Sequence, residues 1–126
     1  MKIHHIGYVV NSIDSYLQDM IVTNTIKRVY DDIQKSDMIL IKLDNVFIEL
    51  IEPKSKDAFT YNFLKKNGSS YHHICYEVNN SKEAKNIIKN KKMIVILDWV
   101  YAPLLESSVL FAYSRNREVV EFVLSK

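Results

Sequence analysis

One phrase of this 126-residue chain is written twice: His4-His5-Ile6-Gly7-Tyr8-Val9-Val10-Asn11 returns as His72-His73-Ile74-Cys75-Tyr76-Glu77-Val78-Asn79, with six of the eight positions identical. The shift is 68 residues (73 − 5). A second pair, Val46-Phe47-Ile48-Glu49-Leu50-Ile51 and Glu118-Val119-Val120-Glu121-Phe122-Val123, is shifted by 72 (121 − 49). Two shifts this close mean two modules with one small length change between them. The period is too long for a stacked solenoid repeat and fits a duplicated half-domain.

Each half carries the same succession of patterns. After the opening strand, Ile13, Tyr16, Leu17 and Met20 follow the spacing of an amphipathic helix behind Ser12 as N-cap, and Ala84, Ile87 and Ile88 do so behind Ser81. Three β-rich runs follow in each half, at 25–30, 38–43 and 46–52, then at 93–100, 108–113 and 118–124. The expected fold is therefore α+β: two βαβββ modules forming a curved mixed sheet around a cleft. Module one takes about 1–56 and module two about 70–126, within a single domain. Between them, Asp57 is expected to cap a connector helix over about 57–68, with Phe59 and Phe63 on one face and Gly68 as its stop.

Composition narrows the possible partners. A formal charge of +2 with scattered lysines is too mild for nucleic acid, and no apolar run is long enough to span a membrane. A single cysteine, Cys75, excludes an internal disulfide framework, and no signal-peptide pattern opens the chain. A soluble cytoplasmic protein acting on a small molecule is the expectation. Its unpaired sheet edges predict a homodimer.

Four side chains do not fit a plain core. Strand residues alternate faces, so Ile6, Tyr8 and Val10 lie on one side of the opening strand and His5, Gly7 and Val9 on the other. His73 takes the corresponding place in the second module. The closing strand of each module embeds an acid among apolar residues, Glu49 in one and Glu121 in the other. A buried carboxylate without a partner is costly and is relieved by a cation. A lone strand histidine is more often structural than ligating, but the recurrence of the same His and Glu in both halves points to one divalent metal site made of His5, Glu49, His73 and Glu121. His4 and His72 are expected to face the helix side as structural residues. Cys75 and Tyr71 are expected to share the face of His73, Trp99 and Tyr101 are candidate pocket aromatics, and Glu52, Lys54 and Lys56 form a polar stretch near the site.

These segments resemble a known family. His5-Ile6-Gly7-Tyr8-Val9-Val10, Ile48-Glu49-Leu50-Ile51-Glu52-Pro53, Phe63-Leu64-Lys65-Lys66-Asn67-Gly68 leading into His72-His73-Ile74-Cys75-Tyr76-Glu77-Val78, and Val120-Glu121-Phe122 look like landmarks of the vicinal oxygen chelate superfamily, in particular its methylmalonyl-CoA epimerases and glyoxalase I-like lyases. The likeness runs nearly end to end. It implies that His5, Glu49, His73 and Glu121 hold a divalent ion (Zn, Ni, Co, Mn or Mg), with Glu121 or Glu49 also moving protons next to a polarised carbonyl. The implied activity is that of an isomerase or lyase acting on an acyl thioester or 2-oxo compound. The superfamily's bleomycin-resistance proteins imply an alternative, a non-catalytic small-molecule binder. A two-His, one-carboxylate iron dioxygenase is disfavoured because one ligand would be surplus. The run Asp37-Met38-Ile39-Leu40-Ile41 supplies no further buried acid, and the turn Arg115-Asn116-Arg117-Glu118 replaces a glycine-rich one.

Overall fold

The computed structural model describes residues 1–126. The chain orders as β1 (Ile3–Val9), α1 (Ile13–Asp19), β2 (Thr25–Asp31), β3 (Ser36–Lys42), β4 (Phe47–Pro53), α2 (Tyr61–Asn67), β5 (Ser70–Val78), α3 (Ser81–Asn90), β6 (Ile94–Ala102), β7 (Ser107–Tyr113) and β8 (Val119–Leu124). Two βαβββ units are present, with α2 between them.

All eight strands join one sheet in the order β2-β3-β4-β1-β5-β8-β7-β6. Each module forms one half, with its opening strand parallel to its closing strand (β1 with β4, β5 with β8) and the remaining pairs antiparallel. The halves meet at the antiparallel β1–β5 pair. The sheet curls into a half-barrel, so its ends approach each other. Lys27 on the edge strand β2 donates from Nζ to the Pro103 carbonyl at 2.8 Å and lies 3.6 Å from Glu106, both in the turn after the opposite edge strand β6.

Apolar side chains divide by face as period 2 requires. On the convex side, Val10, Ile13, Ile39, Ile41 and Leu50 pack with Tyr16, Leu17 and Met20 around α1. Val78, Ala84, Leu110, Ala112 and Phe122 pack with Ile87 and Ile88 around α3. The concave side holds the central cluster, including Val9, Met38, Leu40, Ile51, Cys75, Leu104, Leu105, Val109, Phe111 and Val123, with Phe59 and Phe63 packed against it. No helix is long and apolar enough to cross a membrane.

The helix ends follow local chemistry. Ser12 caps α1, its Oγ accepting from Ser15 N–H at 3.2 Å. The Glu52 carboxylate adds a second cap by accepting from Ile13 N–H at 2.8 Å, and Lys54 pairs with the other Glu52 oxygen. Two expected caps are corrected. Asn80, not Ser81, caps α3, because its Oδ1 accepts from Glu83 N–H while Glu83 Oε2 reaches back to Asn79 N–H in a reciprocal arrangement. Asp57 caps no helix: residues 55–61 form successive tight turns, α2 begins only at Tyr61, and Phe59 precedes it. Gly68 ends α2 at φ 71°, a backbone region open to glycine without a Cβ penalty.

The candidate metal centre

Register explains how four distant residues meet. In β1–β4, Gly7 stands opposite Glu49, and in β5–β8, Cys75 stands opposite Glu121. Across the central pair, Gly7 faces His73 and His5 faces Cys75. The duplication thus sets one His and one Glu from each half around the middle of the concave face. A small residue beside each imidazole leaves room for the ring.

At Gly7 that room is obligatory. A Cβ added there would overlap the His73 imidazole, with nothing else to give way. Glycine inside a strand is a signal of close approach by another group, and this was the signal available in the sequence for a residue that supports the site without carrying its chemistry.

The donor atoms converge tightly. His5 Nε2 lies 3.1 Å from His73 Nε2, and Glu121 Oε1 lies 2.9 Å from both nitrogens. Glu49 Oε1 lies 3.4 Å from both. One ligand atom from each residue fits within 4.8 Å of all the others, and all four residues are buried. Despite this closeness, neither Glu49 Oε1 nor Glu121 Oε1 accepts a directed hydrogen bond. Donors about 2.1 Å from a common ion stand about 3.0 to 3.4 Å apart at octahedral or tetrahedral angles, so the residues present fit a divalent cation in size, donor type and unmet charge.

The electrostatics are those of a site arranged for positive charge. Burial pushes Glu49 and Glu121 up, but His5 and His73 outweigh it and hold both carboxyls below their usual value. Burial pulls the two histidines down, but the adjacent carboxylates raise both above the ordinary imidazole value, His5 most. Burial raises the Cys75 thiol, which therefore stays protonated.

The outer histidines are not where strict alternation sends them. Ile3 pairs with Tyr76 and His5 with Cys75, so His4 is an extra residue in β1; Gly7 pairs with His73 and Tyr8 with Tyr71, so His72 is an extra residue in β5. These are β-bulges, which re-aim the side chains at and beyond them. His4 stacks on Phe47, and His72 lies against Phe59, Phe63 and Phe111, all of the concave side. Their Nδ1 atoms sit 2.8 Å (His4 to His5) and 2.7 Å (His72 to His73) from the neighbouring Nδ1. Burial, reinforced by His73, lowers the His72 pKa to about 3 and keeps the ring neutral.

The remaining candidates separate from the site. The bulge turns Tyr71 away from the face of His73, to an exposed position edge-on to Tyr8. Trp99 packs with the α3 cluster, and Tyr101 is exposed. Cys75 does line the concave side.

A duplicated βαβββ half-barrel with paired His and Glu donors on its inner face defines a class of cleft proteins suited to metal-assisted chemistry. Residues 4–113 match the family model of the Glyoxalase/Bleomycin resistance protein/Dioxygenase superfamily, and the chain belongs to that superfamily. Among curated proteins it is similar to the mitochondrial methylmalonyl-CoA epimerase of Homo sapiens, at 30% identity over 80 residues covering 63% of this chain and 46% of that protein. It is also similar to the Bos taurus enzyme of the same name, at 35% over 60 residues covering 47% and 34%. The matched stretches thus span less than half the length of these relatives. Among solved structures, a hypothetical protein from Bacillus halodurans C-125 superposes with a TM-score of 0.85 at 25% identity, covering 99% of this chain and 94% of that one. A variant of Streptomyces coelicolor methylmalonyl-CoA epimerase in complex with 2-nitronate-propionyl-CoA superposes with a TM-score of 0.86 at 20% identity, covering 99% and 94%.

Proposed function

We propose that residues 1–126 form one catalytic unit, a cytoplasmic divalent-metal-dependent isomerase that moves a proton next to the carbonyl of a small acyl thioester. The observation that carries this reading is the convergence of four buried donors, with one oxygen of each carboxylate, Glu49 Oε1 and Glu121 Oε1, lacking a hydrogen-bond partner. The epimerase relatives support the substrate class.

His5, Glu49, His73 and Glu121 are the residues that would hold the ion, which when bound polarises a carbonyl and lowers the cost of removing the adjacent C–H proton. The chain supplies the rest. Glu49 and Glu121 come from opposite halves of the sheet, so one can take the proton from one side of the substrate while the other returns it on the opposite side. No third acid is needed. The one buried acid outside the donor set, Asp31, is occupied in its turn, where its carboxylate accepts from Ile33 and Gln34 N–H. The apolar wall of Met38, Leu40, Ile51, Val109 and Phe111 excludes water from the proton in transit.

That same wall favours a second reading, a protein that sequesters an apolar small molecule without chemistry, since beyond the donor set the concave face is built mainly of apolar side chains. The lyase branch of the family, acting on thiol adducts of 2-oxo compounds, is the catalytic alternative. Metal analysis before and after chelation, then turnover of methylmalonyl-CoA and of the glutathione hemithioacetal of methylglyoxal by the metal-loaded protein, separates the three. Solvent deuterium entering the CoA ester supports the isomerase, and turnover of the hemithioacetal alone replaces it with the lyase. Tight binding of a ligand without turnover of either compound leaves the sequestration reading. A homodimer is the companion proposal, because the outer strand β6 leaves Ile94, Val95 and Ile96 exposed; a monomer by light scattering at micromolar concentration overturns it.

A further inference from the structure

Adjacent residues of a regular strand point to opposite faces, so their rings cannot meet edge to edge. In this protein they do so twice. His4 meets His5 with ring centroids 5.1 Å apart at 86°, and His72 meets His73 at 5.0 Å and 89°. Both contacts occur at β-bulges in equivalent places of the two modules, and both bring Nδ1 to Nδ1 within hydrogen-bond distance.

We infer that His72 and His4 are positioning residues, each accepting the Nδ1–H of the following histidine so that its Nε2 lone pair is presented to the metal. The inference rests on the reading of the four-residue cluster as a metal centre. A short N···N contact between two rings needs one proton between them. Were His72 the donor, a neutral His73 would carry its own proton on Nε2, aimed at His5 Nε2 3.1 Å away, and could not ligate. With His73 as donor, its Nε2 is free and the ring cannot rotate without breaking the bond. An outer partner of this kind fixes both tautomer and orientation of a ligating imidazole. The usual partner is a carboxylate or a backbone carbonyl, whereas here it is a second imidazole, brought within reach by the extra residue of a bulge.

The two halves do not apply the device equally. His72 is buried among Phe59, Phe63 and Phe111, which hold its ring in place, while His4 is only partly buried and rests on Phe47. The larger effect belongs to His72.

The test combines metal titration with NMR on the full chain. Zn²⁺ is titrated against a competing chelator into the unaltered protein, His72→Phe, His72→Asn and His4→Phe, and thermal stability of each metal-free protein is recorded. Phenylalanine keeps the ring packing and loses the acceptor; asparagine restores an acceptor oxygen near the Nδ1 position. Removal of an outer partner of a metal ligand lowers affinity about 10- to 100-fold. The expected result is a loss in that range for His72→Phe, a smaller loss for His4→Phe, and recovery of most of the affinity in His72→Asn. In the zinc-loaded unaltered protein, a ¹⁵N–¹⁵N coupling across the bond should join His72 Nδ1 to a protonated His73 Nδ1. Equal zinc affinity of His72→Phe and the unaltered protein, or a His73 Nδ1 without a proton, overturns the inference while leaving the metal centre intact. An unaltered protein that takes up no divalent ion overturns both. Should His72→Phe fail to fold, His4→Phe and the coupling measurement decide the matter.

Discussion

The two modules agree closely at the centre of the cleft and differ at its mouth. Each contributes a His, a Glu, a bulged second His and a small residue facing the other module's imidazole. The hairpin turns that fold over the concave face also share a backbone, with Lys35 and Glu106 at φ 51° and 53° in positions 71 residues apart. Their side chains have diverged. The module-one turn buries Asp31, Gln34 and Ser36, while the module-two turn buries Ala102, Leu104 and Leu105. Such a difference is what an asymmetric ligand requires: an ion on the pseudo-twofold axis sees matching donors, whereas a molecule with one polar and one apolar end has to meet two different walls.

The largest expected effects test the symmetric part. His5→Ala and His73→Ala should each abolish most metal uptake and activity, by more than about 100-fold, because either loss leaves two carboxylates with one imidazole. A residual affinity that differs greatly between them, measured by metal analysis after dialysis, would break the equivalence of the two halves.

Small residues at the centre come next. Gly7→Ala forces the His73 ring to move and should cost about 3 kcal/mol together with much of the metal affinity. Its counterpart Cys75→Ala removes only a buried sulfur and should cost about 1 kcal/mol, with the metal retained. Chemical denaturation of both variants gives the comparison. Equal costs would show that the room beside His73 is not set by Gly7.

At the mouth, Leu105→Ala should destabilise by about 2 to 3 kcal/mol through the cavity it leaves. Gln34→Leu should cost about 1 kcal/mol, because Gln34 Oε1 has no hydrogen-bond partner to lose but Nε2 donates to the buried Asp31 carboxylate at 3.4 Å. If the module-one wall meets the polar end of the ligand, Gln34→Leu will instead raise KM at unchanged kcat in the turnover assay.

The most gradual effect is a pH dependence of at most about 1.4 kcal/mol per pH unit for each titrating group. His5 and His73 have raised pKa values in the folded metal-free protein, so the stability they confer is complete below the ordinary value of 6.5 and is lost as pH rises through the raised values. His4 and His72 are lowered, so the folded state loses stability as pH falls below 6.5. Glu49 and Glu121, also lowered, add a further loss as pH falls below about 4.5. Metal-free protein should therefore be most stable near pH 6.5, and a divalent ion should remove the decline on the alkaline side, both read from melting temperature against pH. A decline above pH 6.5 that persists with bound metal would show that the central histidines do not cause it.

Much of the architecture was legible in one dimension. The repeated phrase defines two modules, and period-2 alternation puts His5, Glu49, His73 and Glu121 on the inner face, where the folded chain brings their donors together. The helical stripes of Ile13, Tyr16 and Leu17 and of Ala84, Ile87 and Ile88 correctly mark α1 and α3. These features follow from local periodicity, which a sequence carries directly.

Other features depend on pairing between strands and lie outside any single segment's pattern. A bulge is defined by two residues on one strand opposing one on its partner, so nothing within His4-His5 or His72-His73 discloses it. The reversal of Tyr71 and the meeting of the paired imidazoles depend on the β1–β5 register. Asp57 has the right residue type for a cap, but the turns that bury Ala58 and Thr60 delay α2 to Tyr61. The sequence by itself determined which faces exist and which chemical groups they carry. Only the tertiary structure decided which neighbours cross from one face to the other, because that depends on hydrogen-bond register between strands 68 residues apart.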